Sequence, residues 1–519
     1  KLVELVRRLD GLPLALELAA GRLGVLSVDD VLERLDLSLL RSGGDDRHGT
    51  LRAALDWSWE LLSATEREAL CQLAVFSGGF ELDAAEEVLD LGEASVLEAL
   101  SSLANHSMLA VDSRGRGRLL ASVAAFAREK RAPDGDLRRR HGQFYARLGE
   151  RAWLDSLDLH GGRRRRAGML LELDNLHQAC RNAGEALDGP VAASTLRAAW
   201  WVLGLRGPVE AAVTLGRWVA DLPGLSAADR STAHVVVGAA QQLAGDLEGS
   251  RASHELALAL TRDRREEAEI LANLANVDRQ ESRPDAAKAK NERALAIQRA
   301  LGNPRGVAQA LNNLGLTHDD GSGLEGSEAW YRAALDQARR AGDRRLEANV
   351  LCNLGSLLLT VERFDEALGF LNAAQPVFRE LGDRRFQGMI YTNQGIVHIR
   401  QGRPSQAREC FESALLAHHE VGYLRGECNA LNNVASMHVE TGELEQALLR
   451  FEEALILHRE IGYETGEARV LSNLVELSVR TGDLDNGRDY FDQATRCFAN
   501  LGRQDDVLSM LEGKGELEA

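Results

Sequence analysis

Six asparagines recur at one position of a 40-residue period: Asn273, Asn313, Asn353, Asn393, Asn433 and Asn473. A side-chain amide both donates and accepts hydrogen bonds, so a row of amides suits the backbone of an extended peptide, whose units offer the same pair. The same chemistry suits a bridge between neighbouring helices, and the residue types leave both readings open. Six such bonds at roughly 1 kcal/mol net each barely offset an association cost of about 4–15 kcal/mol. The row would therefore set register while side-chain pockets supply affinity. The pocket candidates, one helical turn along, are His318, His398, His438, Asn312 and Asn432.

Other chemistry is sparse. The one Gly-Lys pair, Gly513-Lys514, is followed by Gly515, so there is no phosphate-cradling GxxxxGK[ST] loop and no machinery for phosphoryl transfer. No Ser/His/Asp or Cys/His arrangement is readable, and the chain is expected not to be an enzyme. His398, His418, His419 and His438 have no acid or metal partner evident in sequence, which predicts surface or groove positions. Six scattered cysteines without a CxxC pair read as free thiols of a reducing compartment. A net charge of −18 disfavours general polyanion binding. The lack of a long apolar run or signal peptide predicts a soluble cytoplasmic protein with no membrane partner.

The elements that must position the asparagines follow from the rest of the period. Each Asn lies in an apolar segment such as ALNNLG or VLCNLG, followed by a polar turn (QGRP, TGEL, TGDL), then a second helix such as EQALLRFEEALILHREIG. Each unit is thus a helix hairpin, and the six units span residues 268–506. Small residues at Ala287, Ser327, Ala367, Ala407, Ala447 and Gly487 keep one stripe of the second helix thin. The series Ala294, Ala334, Ala374, Ala414, Ala454 and Ala494 does the same seven residues on. Between them Tyr331, Phe411, Phe451 and Phe491 supply a knob, replaced by Leu371 in one unit and Asn291 in another. A final Gly (Gly302, Gly342, Gly382, Gly422, Gly462, Gly502) suits a left-handed C-cap. These residues resemble the tetratricopeptide repeat family, with a unit of 40 residues in place of about 34.

Upstream, the segment GLPLALELAA resembles the GLPLA motif of the STAND or NB-ARC nucleotide-binding ATPases. The resemblance implies that Pro13 lies against the adenine of a bound nucleotide. Residues 1–49 are then the helical end of the nucleotide-binding module. Because the chain starts at Lys1 in mid-helix, it reads as a fragment, with ATP or ADP and Mg expected only together with a P-loop domain outside it. Residues 50–132 read as helices at 50–61, 64–76, 83–90 and 95–105, a strand pair around Arg114–Gly117 and a last helix to about 131, which is winged-helix order. Ser63 and Glu66 form a capping box. From Glu68 to Ser113 there is no Lys or Arg, while Glu81, Asp83, Glu86, Glu87, Asp90, Glu93 and Glu98 are acidic. Direct nucleic-acid binding is therefore not expected. Family members often carry a His-Asp pair after the wing that touches the β-phosphate; here those positions are Leu120 and Ala121.

Residues 133–190 read as a helical connector in which Arg138–Arg140 and Arg163–Arg166 are solvated. Residues 191–267 read as eroded hairpins around Trp200, Trp201 and Trp218, and 507–519 as a polar tail. A Gly-rich break at Gly321, Gly323 and Gly326 reads as either an eroded loop or a joint. The fold expected is all-α, a solenoid of helix hairpins preceded by a nucleotide-domain remnant and a small winged-helix domain. The function that the resemblance implies is the regulatory and sensing part of a STAND-type signalling ATPase or transcriptional regulator. Its partners would be a peptide, protein or small inducer in the groove and its own nucleotide-binding domain. The alternative is a constitutive scaffold for protein–protein interaction.

Overall fold

The computed structural model describes residues 2–8, 27–28, 32, 51–106, 108–159, 161–319 and 324–500. They fall into two compact units, one running to Asp263 without 158–163, the other taking Asp158–Arg163 and continuing from Arg264.

The first unit begins with α1 (Leu2–Arg8) and a bundle of α2 (Leu51–Leu61), α3 (Ala64–Leu73), α4 (Leu82–Val88) and α5 (Val96–Asn105). The strands β1 (Ala110–Val111) and β2 (Gly117–Arg118) and the helix α6 (Ala121–Lys130) complete it. The strands pair antiparallel with Ala110 opposite Arg118, and Phe80 bridges to Gly117 as a third arm. At the start of α3 the capping box is formed: Ser63 Oγ accepts from the Glu66 N–H at 3.3 Å and Glu66 Oε2 accepts from the Ser63 N–H at 2.6 Å. α3 ends three residues short of the expected Phe76, because Val75 and Phe76 bond back only three residues and Gly78 and Gly79 then take positive φ. Leu70, Leu73, Leu103 and Phe126 close the core between these helices.

Next come α7 (Gly135–Ala146), α8 (Arg151–Ser156), α9 (Gly162–Met169), α10 (Leu173–Glu185), α11 (Gly189–Arg206), α12 (Val209–Ala220), α13 (Ala227–Ala244) and α14 (Leu247–Leu260). Two expectations change here. The arginine runs are not simply solvated: Arg140 Nε donates to the Val88 carbonyl at 2.8 Å, and Arg166 is buried with its guanidinium 5.2 Å from the Trp201 ring centre. A planar cation stacks on an aromatic face and can be buried there. The tryptophans in turn are only half-buried, rimming a core of small and aliphatic residues such as Ala192, Leu196, Leu215 and Ala233.

The second unit is the stack of hairpins. Its pairs are α15 (Arg264–Gln280) with α16 (Pro284–Ala300), α17 (Pro304–Asp319) with α18 (Leu324–Ala341), and α19 (Arg344–Thr360) with α20 (Phe364–Leu381). They continue as α21 (Arg384–Arg400) with α22 (Pro404–His419), α23 (Leu424–Glu440) with α24 (Leu444–Glu460), and α25 (Glu464–Thr481) with α26 (Leu484–Asn500). Both alanine-type stripes are buried, and the knobs Tyr331, Leu371, Phe411, Phe451 and Phe491 are buried between them. The thin stripe lets helix axes approach, and the knob fills the space that remains. Gly302, Gly342, Gly382, Gly422 and Gly462 have φ between 61° and 70°, the left-handed conformation that ends a helix. Of the Gly-rich break, Gly321 and Gly323 lie outside the described residues and Gly326 is inside α18.

Candidate functional site: the inner face of the solenoid

Within each hairpin the two helices pack along their length, and each second helix also packs on the first helix of the next unit. The first helices additionally touch one another from unit to unit. A stack whose first helices converge is curved with those helices on its inside. Their half-exposed residues recur at helical spacing, as in Arg345, Asn349, Asn353 and Ser356 of α19.

The asparagine row lies on this face, and it splits. Asn353 Nδ2 donates to Asn312 Oδ1 at 2.8 Å, Asn473 Nδ2 to Asn432 Oδ1 at 2.8 Å, and Asn393 Nδ2 to Ser356 Oγ at 2.7 Å. Each of these bonds ties one first helix to the preceding one. Asn313 is buried, and its Oδ1 accepts from Gln309 Nε2 at 2.9 Å. Asn273 and Asn433 are half-buried, as are Asn353, Asn393 and Asn473. Three amides thus spend their N–H groups on bridges within the stack, while five side chains stay half-exposed on the inner face.

The pocket candidates fare unevenly. Asn312 and Asn432 are buried acceptors for the row itself. The side chain of His318 lies outside the described residues, and so does Pro13. His398 is half-buried, with its pKa lowered first by burial and then by Arg403. His438 Nδ1 is 2.6 Å from Glu443 Oε2, and His419 Nδ1 is 2.9 Å from Glu427 Oε1, so both have acid partners that sequence did not reveal. His418 is buried against the Tyr423 ring, 5.3 Å between ring centres, and His458 against Tyr463 at 5.5 Å, contrary to the surface positions expected for this residue type. Burial, then nearby arginines, lower both imidazoles from the usual 6.5 to about 4.

A row that the sequence reading missed borders the same face. Arg265, Arg305, Arg345, Arg385 and Arg425 hold one position in five successive first helices. Arg305 Nε is 2.7 Å from Asp343, and Arg345 is 3.3 Å from Asp383, each the residue 38 places on. Arg385 and Arg425 meet tyrosines at that place instead, stacking 4.4 Å from the Tyr423 ring and 4.1 Å from the Tyr463 ring. Arg425 also donates to the Tyr463 hydroxyl at 2.9 Å. Arg265 pairs within its own helix with Glu269 at 3.2 Å. Asp343 is the costliest of these partners: burial pushes its carboxyl up, Arg305 opposes the shift, and its Oδ1 caps α19 by accepting from the Leu346 N–H at 2.8 Å. The signal was in the sequence as a second phase-locked series.

At the place of the family's phosphate-contacting pair, Leu120 is the N-cap of α6 and makes no side-chain cap bond, and Ala121 is its first residue. Neither side chain can donate a hydrogen bond to a phosphate. Among the described residues no group of three or more His, Cys, Asp or Glu could hold a metal ion, and no helix is long and apolar enough to cross a membrane. The free cysteines Cys71, Cys180, Cys352 and Cys428 are buried.

The fold and this face define an α-solenoid with a winged-helix domain before it. Residues 306–380 and 386–460 match the tetratricopeptide repeat family, and residues 62–132 match the winged helix-turn-helix domain family. In sequence the chain is similar to the Mycobacterium bovis protein named "Putative HTH-type transcriptional regulator Mb0914c", 37% identical over 214 residues, which are 38% of this chain and 24% of the relative. The chain thus spans about a quarter of the length of that curated relative. In structure it is similar to a Signal Transduction ATPase with Numerous Domains (STAND) protein with a tetratricopeptide repeat sensor from Pyrococcus horikoshii. That likeness has TM-score 0.54 at 14% identity and covers 96% of this chain and 73% of the other. A second likeness is to a Rap protein complexed with competence and sporulation factor, with TM-score 0.50 at 14% identity, covering 66% of this chain and 99% of the other. At these identities the structural likenesses bear on the fold alone: tetratricopeptide repeats and a winged helix are present in the chain.

Proposed function

We propose that this chain is the regulatory and ligand-sensing part of a STAND-type signalling ATPase or transcriptional regulator. Its solenoid takes a peptide, protein or small inducer on the inner face and biases a nucleotide switch whose P-loop is carried elsewhere in the polypeptide. The observation that carries the reading is the half-exposed asparagine on the first helix of five units, placed where an extended backbone would run across the stack. The competence and sporulation factor complexed with the Rap protein and the tetratricopeptide repeat sensor of the Pyrococcus horikoshii STAND protein support it by analogy of fold. Ligand control of a switch requires unequal affinity for its two states, and a curved stack of units with separate interfaces supplies a deformable element. The winged helix acts within the protein and not on DNA: its recognition-position helix α5 exposes Leu97 and Glu98 and carries no Lys or Arg.

Display selection of random peptides on the parent chain, followed by re-binding to a variant with Asn393→Ala and Asn433→Ala, tests the groove. The selected peptides should lose about tenfold in affinity, roughly 1.4 kcal/mol of hydrogen bonding. Equal retention by a variant with an unchanged melting profile would sink the asparagine row as a binding element.

A further inference from the structure

The outer side of the stack carries a second surface. Between the second helices α22 and α24 runs an open groove of about 610 Å³, lined also by α23 beneath. Its floor is Leu415, Leu431 and Leu457, and its rim is Leu416 and Ile456. On α23 the lining residues Glu427 and Leu431 are four apart on one face, while Asn429 and Asn433 lie two residues further on, about 200° around the helix. The groove therefore opens away from the asparagine row.

Leu416 is 57% and Ile456 58% exposed, and they hold equivalent places 40 residues apart. The same place in the other units is Ala296, Asp336, Pro376 and Arg496. Neighbouring Leu449 on α24 is also exposed, where other units have Ala289, Ala329, Gly369, Glu409 and Asp489. At these two places, among the described residues, exposed large apolar side chains are confined to one pair of adjoining units, which the packing of the stack does not require. An exposed apolar groove with a polar rim marks an interaction surface.

Charge selects the occupant. Arg450 is held by Glu453 at 2.7 Å and His419 by Glu427 at 2.9 Å, whereas Glu412 on the rim has no ion pair among the described residues. The groove is net acidic, and the chain carries −18 overall, so a second copy would bring like charge to it. The lining runs from Glu412 to His419 along α22, about 10 Å or two helical turns. We propose that this groove docks an amphipathic helix of a partner protein, one that places two apolar side chains a turn apart between Leu416 and Ile456 and flanks them with Lys or Arg facing Glu412. The mode is helix-in-groove recognition, on a surface separate from the inner face.

The test uses the whole chain and a fluorescent leucine–lysine amphipathic peptide of about four turns, at roughly physiological salt. Binding is read by anisotropy for the parent, for Leu416→Asp with Ile456→Asp, and for Asn393→Ala with Asn433→Ala. Both rim side chains project into solvent, and melting profiles report whether the stack is intact. The aspartate variant should bind about tenfold or more weakly although it is two charges more negative, because the apolar anchors are gone. The asparagine variant should bind like the parent. Unchanged or tighter binding by the aspartate variant would show charge-driven adsorption and overturn the proposal. So would equal binding of the same peptide with glutamate at every lysine, loss of binding in the asparagine variant, or a concentration-dependent dimer of the parent that the aspartate variant abolishes.

Discussion

Acidification should loosen the solenoid at two defined joints. His418 and His458 are 2% and 0% exposed, each in the last turn of a second helix and facing the next unit. Burial is the main reason that both imidazoles are held at about 4 against an ordinary 6.5, with Arg385 adding to it at His418 and Arg469 and Arg425 at His458. The fold therefore keeps them neutral while the unfolded chain protonates them, so between pH 6.5 and about 4 the unfolded state binds more protons. Stability is complete above 6.5 and drains as pH falls through that window. A shift of this size corresponds to about 2–3 kcal/mol per histidine by pH 4.5, or roughly 5 kcal/mol for the pair. The control is built into the protein: Gln298 holds the equivalent place in an earlier unit, beside Gly306 as His418 lies beside Gly426 and His458 beside Gly466. Urea unfolding read by hydrogen exchange in residues 404–481, at pH 7.5 and 4.5, should show a steep loss for the parent and a shallow one for His418→Gln with His458→Gln. Equal losses in both proteins would refute the assignment of acid sensitivity to these joints. His141 and His254, also buried and held at about 4, belong to the other unit and leave this local readout alone.

The arginine row predicts unequal penalties. Arg305→Ala abandons the buried Asp343 carboxylate and should cost about 3 kcal/mol or more, whereas Arg425→Ala removes a stacking contact on Tyr463 and should cost about 1 kcal/mol, both by urea midpoint. Glu362 takes φ 60° in the turn before α20, where other units have Gly402, Gly442 and Gly482; Glu362→Gly should stabilise by up to about 1 kcal/mol in thermal melts. Gly382→Ala, at φ 70°, should cost a similar amount.

The hairpins were legible because several residue types are locked to one 40-residue phase, and only a stack makes such a lock useful. The capping box and the strand pair were legible for a similar reason: their signals are local. What sequence did not give was partner identity. Asn353 could reach a ligand or Asn312, and only the approach of α17 and α19 decides that it does the latter with its N–H. The burial of His418 was hidden because a histidine in a last helical turn has a good surface use at a helix C-terminus. The arginine row escaped notice because its partner changes chemistry, from carboxylate at 343 and 383 to phenol ring at 423 and 463, while the arginine stays. Arg166 buried on Trp201 required a fold to bring two helices together before an arginine run could stop looking like a solvated one.

That constant arginine bears on how such an arm changes length. If residues 383–422 were removed and the ends rejoined in phase, Arg345 would face Tyr423 in place of Asp383, and a guanidinium accepts either surface. Duplicating the block would be equally harmless to the seam. A coupling that either an aspartate or a tyrosine can satisfy makes the blocks from Arg305 to Tyr463 interchangeable at this seam, so the stack can gain or lose reach there by whole units without inventing a new joint each time.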